Sequence, residues 1–309
     1  MKFKEKIKRR LDFYRDLIRD RNEIKDLYYS FDDSTKEEFR SILKFTLMRT
    51  LKPYFLSKRE NQDCNFYSIK DNSFIFKNYI FKSVRIKQNS IEEKNISELI
   101  QDPLAMIKEI LITKVYEDEE VKVEPEDIVL DCGANIGIFS IYAAKKAKMV
   151  YALEPSEDEI TSLYENKTLN NCNNIKIIPK AVLDISKNAK LCLVENVSHF
   201  IVSPGIKYSV LKDNVDEKMV SIKTISIDEF VKEENLKRID FIKMDIEGSE
   251  EKALLGAEET LKEFKPKLAI TIYHNLNDFY KIPLLIKRLN PDYKIRIKNK
   301  KGTLMAYAI

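Results

Sequence analysis

Between Asp127 and Gly137 the chain reads D-I-V-L-D-C-G-A-N-I-G, and few folds accept such a segment. Ile128 to Leu130 are a short apolar run, which suits a strand buried on both faces. Asp131 closes the run with a carboxylate, and Gly133, Ala134 and Gly137 follow with almost no side-chain bulk. Helical periodicity resumes at Ile138, Ile141 and Tyr142. A strand, a glycine-containing bend and a helix form the unit by which α/β folds bring bare backbone against a ligand.

The chain after this segment repeats the rhythm. Strands are expected at 128–130, 150–153, 175–178, 241–244 and 268–273, with 293–297 and 304–309 completing the sheet. Helices are expected at 137–147, 157–170, 249–263 and 282–289. Alternation of this kind predicts an α/β fold with a mostly parallel sheet and helices on both faces. Residues 188–224 break it. They read as strands at 189–194, 200–202 and 220–223, a β insertion before the fourth strand. Ser226-Ile-Asp-Glu229 then forms a capping box.

The N-terminal region is of another kind. Residues 3–28 look helical, with Phe3, Ile7, Leu11, Tyr14 and Ile18 as the apolar stripe. That stripe could meet a membrane surface, a second copy in a homodimer or the chain's own domain. Ser34-Thr-Lys-Glu37 reads as a capping box for a helix carrying Phe39, Ile42, Leu43 and Leu47, closed by Pro53. Phe74-Ile-Phe76 and Tyr79-Ile-Phe81 suit a strand pair. Asp102-Pro103 starts a helix with Leu104, Ile107, Leu111 and Val115 on one face. The acidic run Glu117 to Glu120 marks a boundary.

Charge adds little. Residues 1–60 hold 17 Lys and Arg against 11 Asp and Glu, a net of +6, which leaves about −2 for the rest of a chain whose total is +4. Acids are interspersed throughout the basic segment, so a solvated helix face explains it better than a phosphate-binding surface. Cys64, Cys132, Cys172 and Cys192 show no paired spacing and the only histidines are His199 and His274, which speaks against a structural zinc site. Unpaired cysteines, no apolar run of membrane-spanning length and no apolar core near the N-terminus lead to the expectation of a cytoplasmic protein.

The ligand is read from the loop. A nucleotide fold binds beyond the carboxyl ends of its strands, and Glu154, closing the second strand in Tyr151-Ala-Leu-Glu-Pro155, is placed to accept both hydroxyls of a ribose. The dinucleotide fingerprint G-x-G-x-x-G sets a helix N-terminus against pyrophosphate. Here the pattern is D-x-G-x-N-x-G. The first glycine is missing and a carboxylate stands nearby, which repels pyrophosphate and attracts the ammonium and sulfonium charges of S-adenosylmethionine.

With these residues in view, Val129-Leu-Asp-Cys-Gly-Ala-Asn-Ile-Gly-Ile-Phe-Ser140 resembles the first motif of class I methyltransferases, in the version typical of the FkbM family. Ala152-Leu-Glu-Pro155, Asn166-Lys-Thr-Leu-Asn170, Lys180-Ala-Val182 and Ile225-Ser-Ile-Asp228 are similar to later pieces of that family. So are Ile239-Asp-Phe-Ile-Lys-Met-Asp-Ile-Glu-Gly-Ser-Glu250 and Ala253-Leu-Leu-Gly-Ala257. The resemblance runs from about Asp127 to about His274. It implies a Rossmann-like seven-stranded sheet, S-adenosylmethionine as cofactor, and usually O-methyl transfer to sugars or natural products. It further implies that Asp131, Gly133, Ala134, Asn135 and Gly137 line the methionine side, that Glu154 holds the ribose and that Ala181 lies near the adenine. The expected organisation is a mainly helical accessory region at 1–120 and a methyltransferase domain at 121–309.

An activated methyl group asks mainly for alignment and exclusion of water, and an alkyl hydroxyl acceptor also benefits from a general base. The candidates are Asp245 and Glu247 after the fourth strand and His274 after the fifth, with His199 in the β insertion as an outsider. Lys243 shares a strand face with Asp245 and needs an ion pair, with Asp245 or Asp131, to be tolerable in an apolar strand. The spacing of Asp245, Glu247 and His274 demands no metal. The expected partner is a small-molecule or glycan acceptor. Two other classes stay open, a nucleic-acid methyltransferase and a non-catalytic interaction protein on the same fold. The absence of N-P-P-Y or D-P-P-Y after the fourth strand disfavours the first, and intact Asp131, Glu154 and Asp245 disfavour the second.

Overall fold

The computed structural model describes residues 2–48, 68–70, 73–76, 79–82, 105–194, 200–202, 217–300 and 302–309. Three N-terminal strands, β1 (Ser68–Lys70), β2 (Ser73–Phe76) and β3 (Tyr79–Lys82), form a small antiparallel sheet. The main sheet is built from β4 (Ile128–Cys132), β5 (Met149–Leu153), β6 (Ile175–Ile178), β11 (Phe241–Met244), β12 (Lys267–Thr271), β13 (Ile295–Lys300) and β14 (Thr303–Ala308). Between them, β7 (Ala181–Val182), β8 (Asn188–Val194), β9 (Phe200–Val202) and β10 (Glu217–Ile225) make a separate four-stranded sheet, in which β8 to β10 are the insertion foreseen from sequence and β7 is a strand that reading did not include. The main sheet has the order β13-β14-β12-β11-β4-β5-β6, and β14 runs antiparallel to both its neighbours. This is the Rossmann-like, mostly parallel seven-stranded sheet that was expected. Strand order reverses between β4 and β11, so their carboxyl ends frame the crevice where such sheets bind ligands.

Side-chain alternation sorts the core into two layers. Leu130, Cys132, Leu153, Ile242, Met244 and Ile270 face one way, toward the helices Glu250–Leu255, Glu258–Glu263 and Asp278–Leu289. Val129, Val150, Phe241, Ala269 and Tyr307 face the other, against the buried helix Ile138–Ala144. Asn166 and Asn170, one turn apart, present their amides to β3 as a strand would. Asn170 accepts from the Ile80 N–H at 3.0 Å, and Asn166 donates to the Lys82 carbonyl at 2.9 Å. Asn166 also donates to the Ile136 carbonyl at 2.8 Å, tying β3 to the loop after β4.

Several local readings are corrected. The N-terminal stripe is out of phase: Phe13 and Leu17 face the core, whereas Leu11 is 57% and Ile18 69% exposed. The helix carries two apolar columns, and the surface it docks on selects between them. That surface belongs to the chain's own domain. Phe39 packs on Phe279 with ring centres 5.5 Å apart, and Asp16 pairs with Lys281 at 3.0 Å. The third helix starts at Asp33 and is capped by Asp32, whose side chain accepts from the Thr35 N–H at 2.7 Å, rather than by Ser34. The capping box at Ser226 forms, with Ser226 Oγ accepting from the Glu229 N–H at 3.1 Å. The single helix read at 249–263 is two, interrupted at Gly256, where a side chain would lie 2.5 Å from the Leu183 carbonyl oxygen. The last helix starts at Asp278, not 282, because the Asp278 carboxylate accepts from the Asn275 N–H at 2.7 Å and so opens the turn early. The helix placed after Asp102 holds a π-helical turn, Lys108–Ile112. Its start, Pro53, Cys64 and His199 lie outside the described residues.

The acidic run after Glu117 is packed, not free. Asp118 is held by Arg296 at 2.8 Å and Lys298 at 2.7 Å, and buried Glu117 accepts from the Tyr142 hydroxyl at 2.5 Å. Among the described residues no helix is long and apolar enough to cross a membrane.

Candidate active site

The parallel register of β4 and β11 sets Lys243 beside Asp131. Their charged atoms lie 3.0 Å apart, and the side chains are 4% and 0% exposed, so the pair is withdrawn from water. Lys243 Nζ also donates to the Gly133 carbonyl at 2.7 Å and the Cys132 carbonyl at 3.3 Å, and lies 5.0 Å from the centre of the Tyr116 ring. Ser140 Oγ donates to the second Asp131 oxygen at 2.6 Å. Burial opposes the lysine charge most strongly, but Asp131 and Asp245 together outweigh it and raise the ammonium's pKa. Asp131 is therefore neutralised by a partner already in place. It adds little net negative charge to the crevice.

The loop after β4 is tied to the end of β5. The N–H groups of Gly133 and Ala134 both donate to the Leu153 carbonyl at 3.0 Å. Gly133, Asn135 and Gly137 have left-handed backbone angles, with φ of +79°, +52° and +88°. The glycines make room for the protein itself. A methyl group on Gly133 would lie 2.1 Å from the Asp245 carbonyl oxygen, and one on Gly137 would lie 2.0 Å from Leu163 Cδ1.

Glu154, just past β5, is 7% exposed. One of its oxygens accepts from the Asn135 N–H at 2.9 Å and the other from the Ser156 N–H at 3.0 Å. Each oxygen keeps a lone pair for a further donor. Burial, with Glu159 adding to it against the pull of the two N–H groups, pushes the Glu154 carboxyl up to about 7. Ala181, read as an adenine neighbour, is 4% exposed and pairs with Thr224 in β10.

A second group of side chains closes the crevice. Asp245 accepts from the Tyr116 hydroxyl at 2.5 Å and from Thr271 Oγ1 at 3.3 Å. Glu247 and Gly248 turn the chain sharply, with φ of +56° and +91°. His274, three residues past β12, points its Nε2 at Asp245 Oδ1 and Glu247 Oε2, both 3.4 Å away, and its Nδ1 at Glu250 Oε1, 3.1 Å away. Burial works against the imidazolium, yet Glu250, Glu247 and Asp245 raise its pKa well above the usual value. Asp278, buried and close to Glu250, has its carboxyl pushed up to about 7.

The structure thus brings Asp245, Glu247 and His274 together and puts Lys243 with Asp131. The sequence reading had not singled out Tyr116, Ser140, Thr271, Glu250 or Asp278. Glu250 had a signal, an acid within one helical turn of Glu247. Tyr116 had none, lying 129 positions from its partner.

A family model described as Methyltransferase FkbM domain matches residues 131–293, just over half of the chain. Methyltransferase 1 of Beauveria bassiana is 25% identical over 191 residues, which span 56% of this chain and 74% of that protein. A hexuronic acid methyltransferase of Haloferax volcanii is 30% identical over 139 residues, spanning 45% of this chain and 53% of that protein. The crystal structure of a methyltransferase FkbM from Methylobacillus flagellatus superposes with a TM-score of 0.53 at 20% identity, over 94% of this chain and 60% of that one. The chain therefore spans less than two thirds of the halophile enzyme and of the crystallised protein. The structural likeness carries the fold alone.

Proposed function

Because this chain belongs to the FkbM methyltransferase family, we propose that it is an S-adenosylmethionine-dependent O-methyltransferase acting on a hydroxyl of a sugar, glycoconjugate or related metabolite. The observation that carries the reading is the presence, at the carboxyl ends of interior strands of one sheet, of a ribose-type acceptor, Glu154, and an anionic crevice formed by Asp245, Glu247 and Glu250. When bound, S-adenosylmethionine supplies a methyl group already activated by its sulfonium. The protein's own residues do the rest. Glu154 is placed to receive the ribose hydroxyls with the lone pairs its backbone partners leave open. The buried Asp131–Lys243 pair holds the loop after β4 through the Cys132 and Gly133 carbonyls. Asp245 and Glu247 provide the negative potential that suits a cation and repels pyrophosphate.

The acceptor hydroxyl must lose a proton as its oxygen bonds to the methyl carbon and the carbon–sulfur bond breaks. We assign that proton to Glu247, whose side chain is 34% exposed and can pass it to water. Both His274 nitrogens are turned toward carboxylates, so we assign His274 a positioning role. The catalytic domain is placed at 121–309 with 1–120 as an accessory region, from which Tyr116 reaches Asp245. Buried Cys132 and Cys172 thiols fit a reducing, cytoplasmic setting.

The sugar acceptor is suggested by the hexuronic acid methyltransferase among the relatives. Transfer of labelled methyl from S-adenosylmethionine to glycans containing uronic acids is the expected result. Label entering RNA or DNA instead, with none in glycans, would contradict the acceptor class.

A further inference from the structure

We propose that Asp245, Glu247 and His274 form a site for a divalent cation of the Mg2+ or Mn2+ kind, which holds oxygens of the acceptor in the crevice. The site's purpose rests on the methyltransferase reading, while its existence rests on geometry alone.

One ligand atom from each of the three residues lies within 4.8 Å of the others. Oxygens bound to Mg2+ at about 2.1 Å stand roughly 3 Å apart when adjacent and about 4.2 Å when opposite. The two 3.4 Å separations from His274 Nε2 are close to adjacent positions, so small side-chain shifts would close the shell. Two carboxylates and one imidazole match hard or borderline cations rather than thiophilic ones.

An independent observation points to a missing ligand. The His274 side chain is only 9% exposed, yet neither ring nitrogen makes a hydrogen bond of good geometry with any described residue, and nor does the buried Glu250 Oε2. Buried polar atoms are rarely left so. Three carboxylates, those of Asp245, Glu247 and Glu250, converge on this one imidazole from a single turn of chain, and they outnumber the one positive charge the ring can carry, an excess that a bound cation would offset. The outer support is already in place, since Tyr116 and Thr271 hold the Asp245 carboxylate by its two oxygens. Glu247 leaves the site open to solvent on one side, where acceptor oxygens would complete the shell. A cation there also offsets part of the negative charge of the three carboxylates, which lets an acidic sugar approach them while the crevice stays suited to a sulfonium. The transfer step keeps its balance: the hydroxyl proton passes to the Glu247 oxygen that does not ligate.

The test uses the full chain freed of metal and titrated with MnCl2, followed by calorimetry and by the electron paramagnetic resonance of free Mn2+. One Mn2+ per chain is expected. Glu247→Gln and Asp245→Asn should each weaken binding at least ~10-fold. Glu247→Gln lies at the solvent edge. Without metal it should raise the melting temperature by relieving repulsion, and it should lose the further rise that Mn2+ gives the parent. A purely structural carboxylate would do neither. S-adenosylmethionine binding, measured separately in EDTA, reads the donor site independently, so failure of one proposal does not imply failure of the other. Absence of saturable Mn2+ binding, or binding that survives both substitutions, would overturn the cation site.

Discussion

Lys243→Met is expected to lower the unfolding free energy by about 3–5 kcal/mol, read from urea denaturation followed by circular dichroism. The reason is asymmetric. The substitution leaves Asp131 0% exposed and without its counter-ion, while Gly133 and Cys132 lose a donor to their carbonyls. Replacing both partners tells the pair's two contributions apart. Asp131→Leu with Lys243→Met removes both buried charges, and such replacements are often neutral or stabilising. The double variant should therefore recover most of the lost stability. Its affinity for S-adenosylmethionine should stay low, because the loop carrying Asn135 would no longer be held by Lys243. Recovery of both stability and affinity would show that the pair is scaffolding only.

The second large effect concerns Glu154. Affinity for S-adenosylmethionine is expected to increase as pH rises from 6 to 8, by roughly tenfold, and Glu154→Gln should flatten that dependence. Burial first, then Glu159, raises the carboxyl to about 7 from an ordinary 4.5. Ribose hydroxyls donate, so the ligand selects the ionised form, which is scarce below pH 7 and dominant above it. The effect on stability has the opposite direction. A raised carboxyl pKa stabilises the fold fully below 4.5, and that contribution is lost as pH rises through 7. Glu154→Gln should accordingly bind roughly 10- to 150-fold more weakly at pH 8, the value of one or two charge-assisted hydrogen bonds. It should nonetheless be at least as stable as the parent there. A variant that binds weakly because it is unfolded would fail that second reading.

The strands of the sheet were legible because each is a short apolar run flanked by polar breaks, and burial on both faces leaves such a run few alternatives. Asp131, Glu154 and Asp245 were legible for a related reason. A charge that terminates an apolar run lies at the strand's carboxyl end, which is the ligand side of this architecture. Side-chain alternation also placed Lys243 and Asp245 on one face correctly, although it could not choose between Asp131 and Asp245 as the lysine's partner. That choice depends on the register of β4 against β11, a tertiary fact. The same limit explains the stripe at Leu11 and Ile18, since the helix offers two apolar columns and only docking selects Phe13 and Leu17. The glycines carried a second reason that sequence does not show. At Gly133 and Gly137 a side chain would strike the Asp245 carbonyl and Leu163, a close packing that the missing side chains alone do not announce. Tyr116 reaches the site from a distant segment and carried no local pattern, whereas Asp278 follows His274 by four residues.

The central claim is that the crevice between β4, β5 and β11 seats a cationic adenosine cofactor. Calorimetric titration of the full chain with S-adenosylmethionine and, separately, with NAD tests it most directly. One S-adenosylmethionine per chain, weakened in Glu154→Gln, with no binding of NAD, is the predicted result. Binding of NAD, or a folded protein that takes up no S-adenosylmethionine, would contradict it.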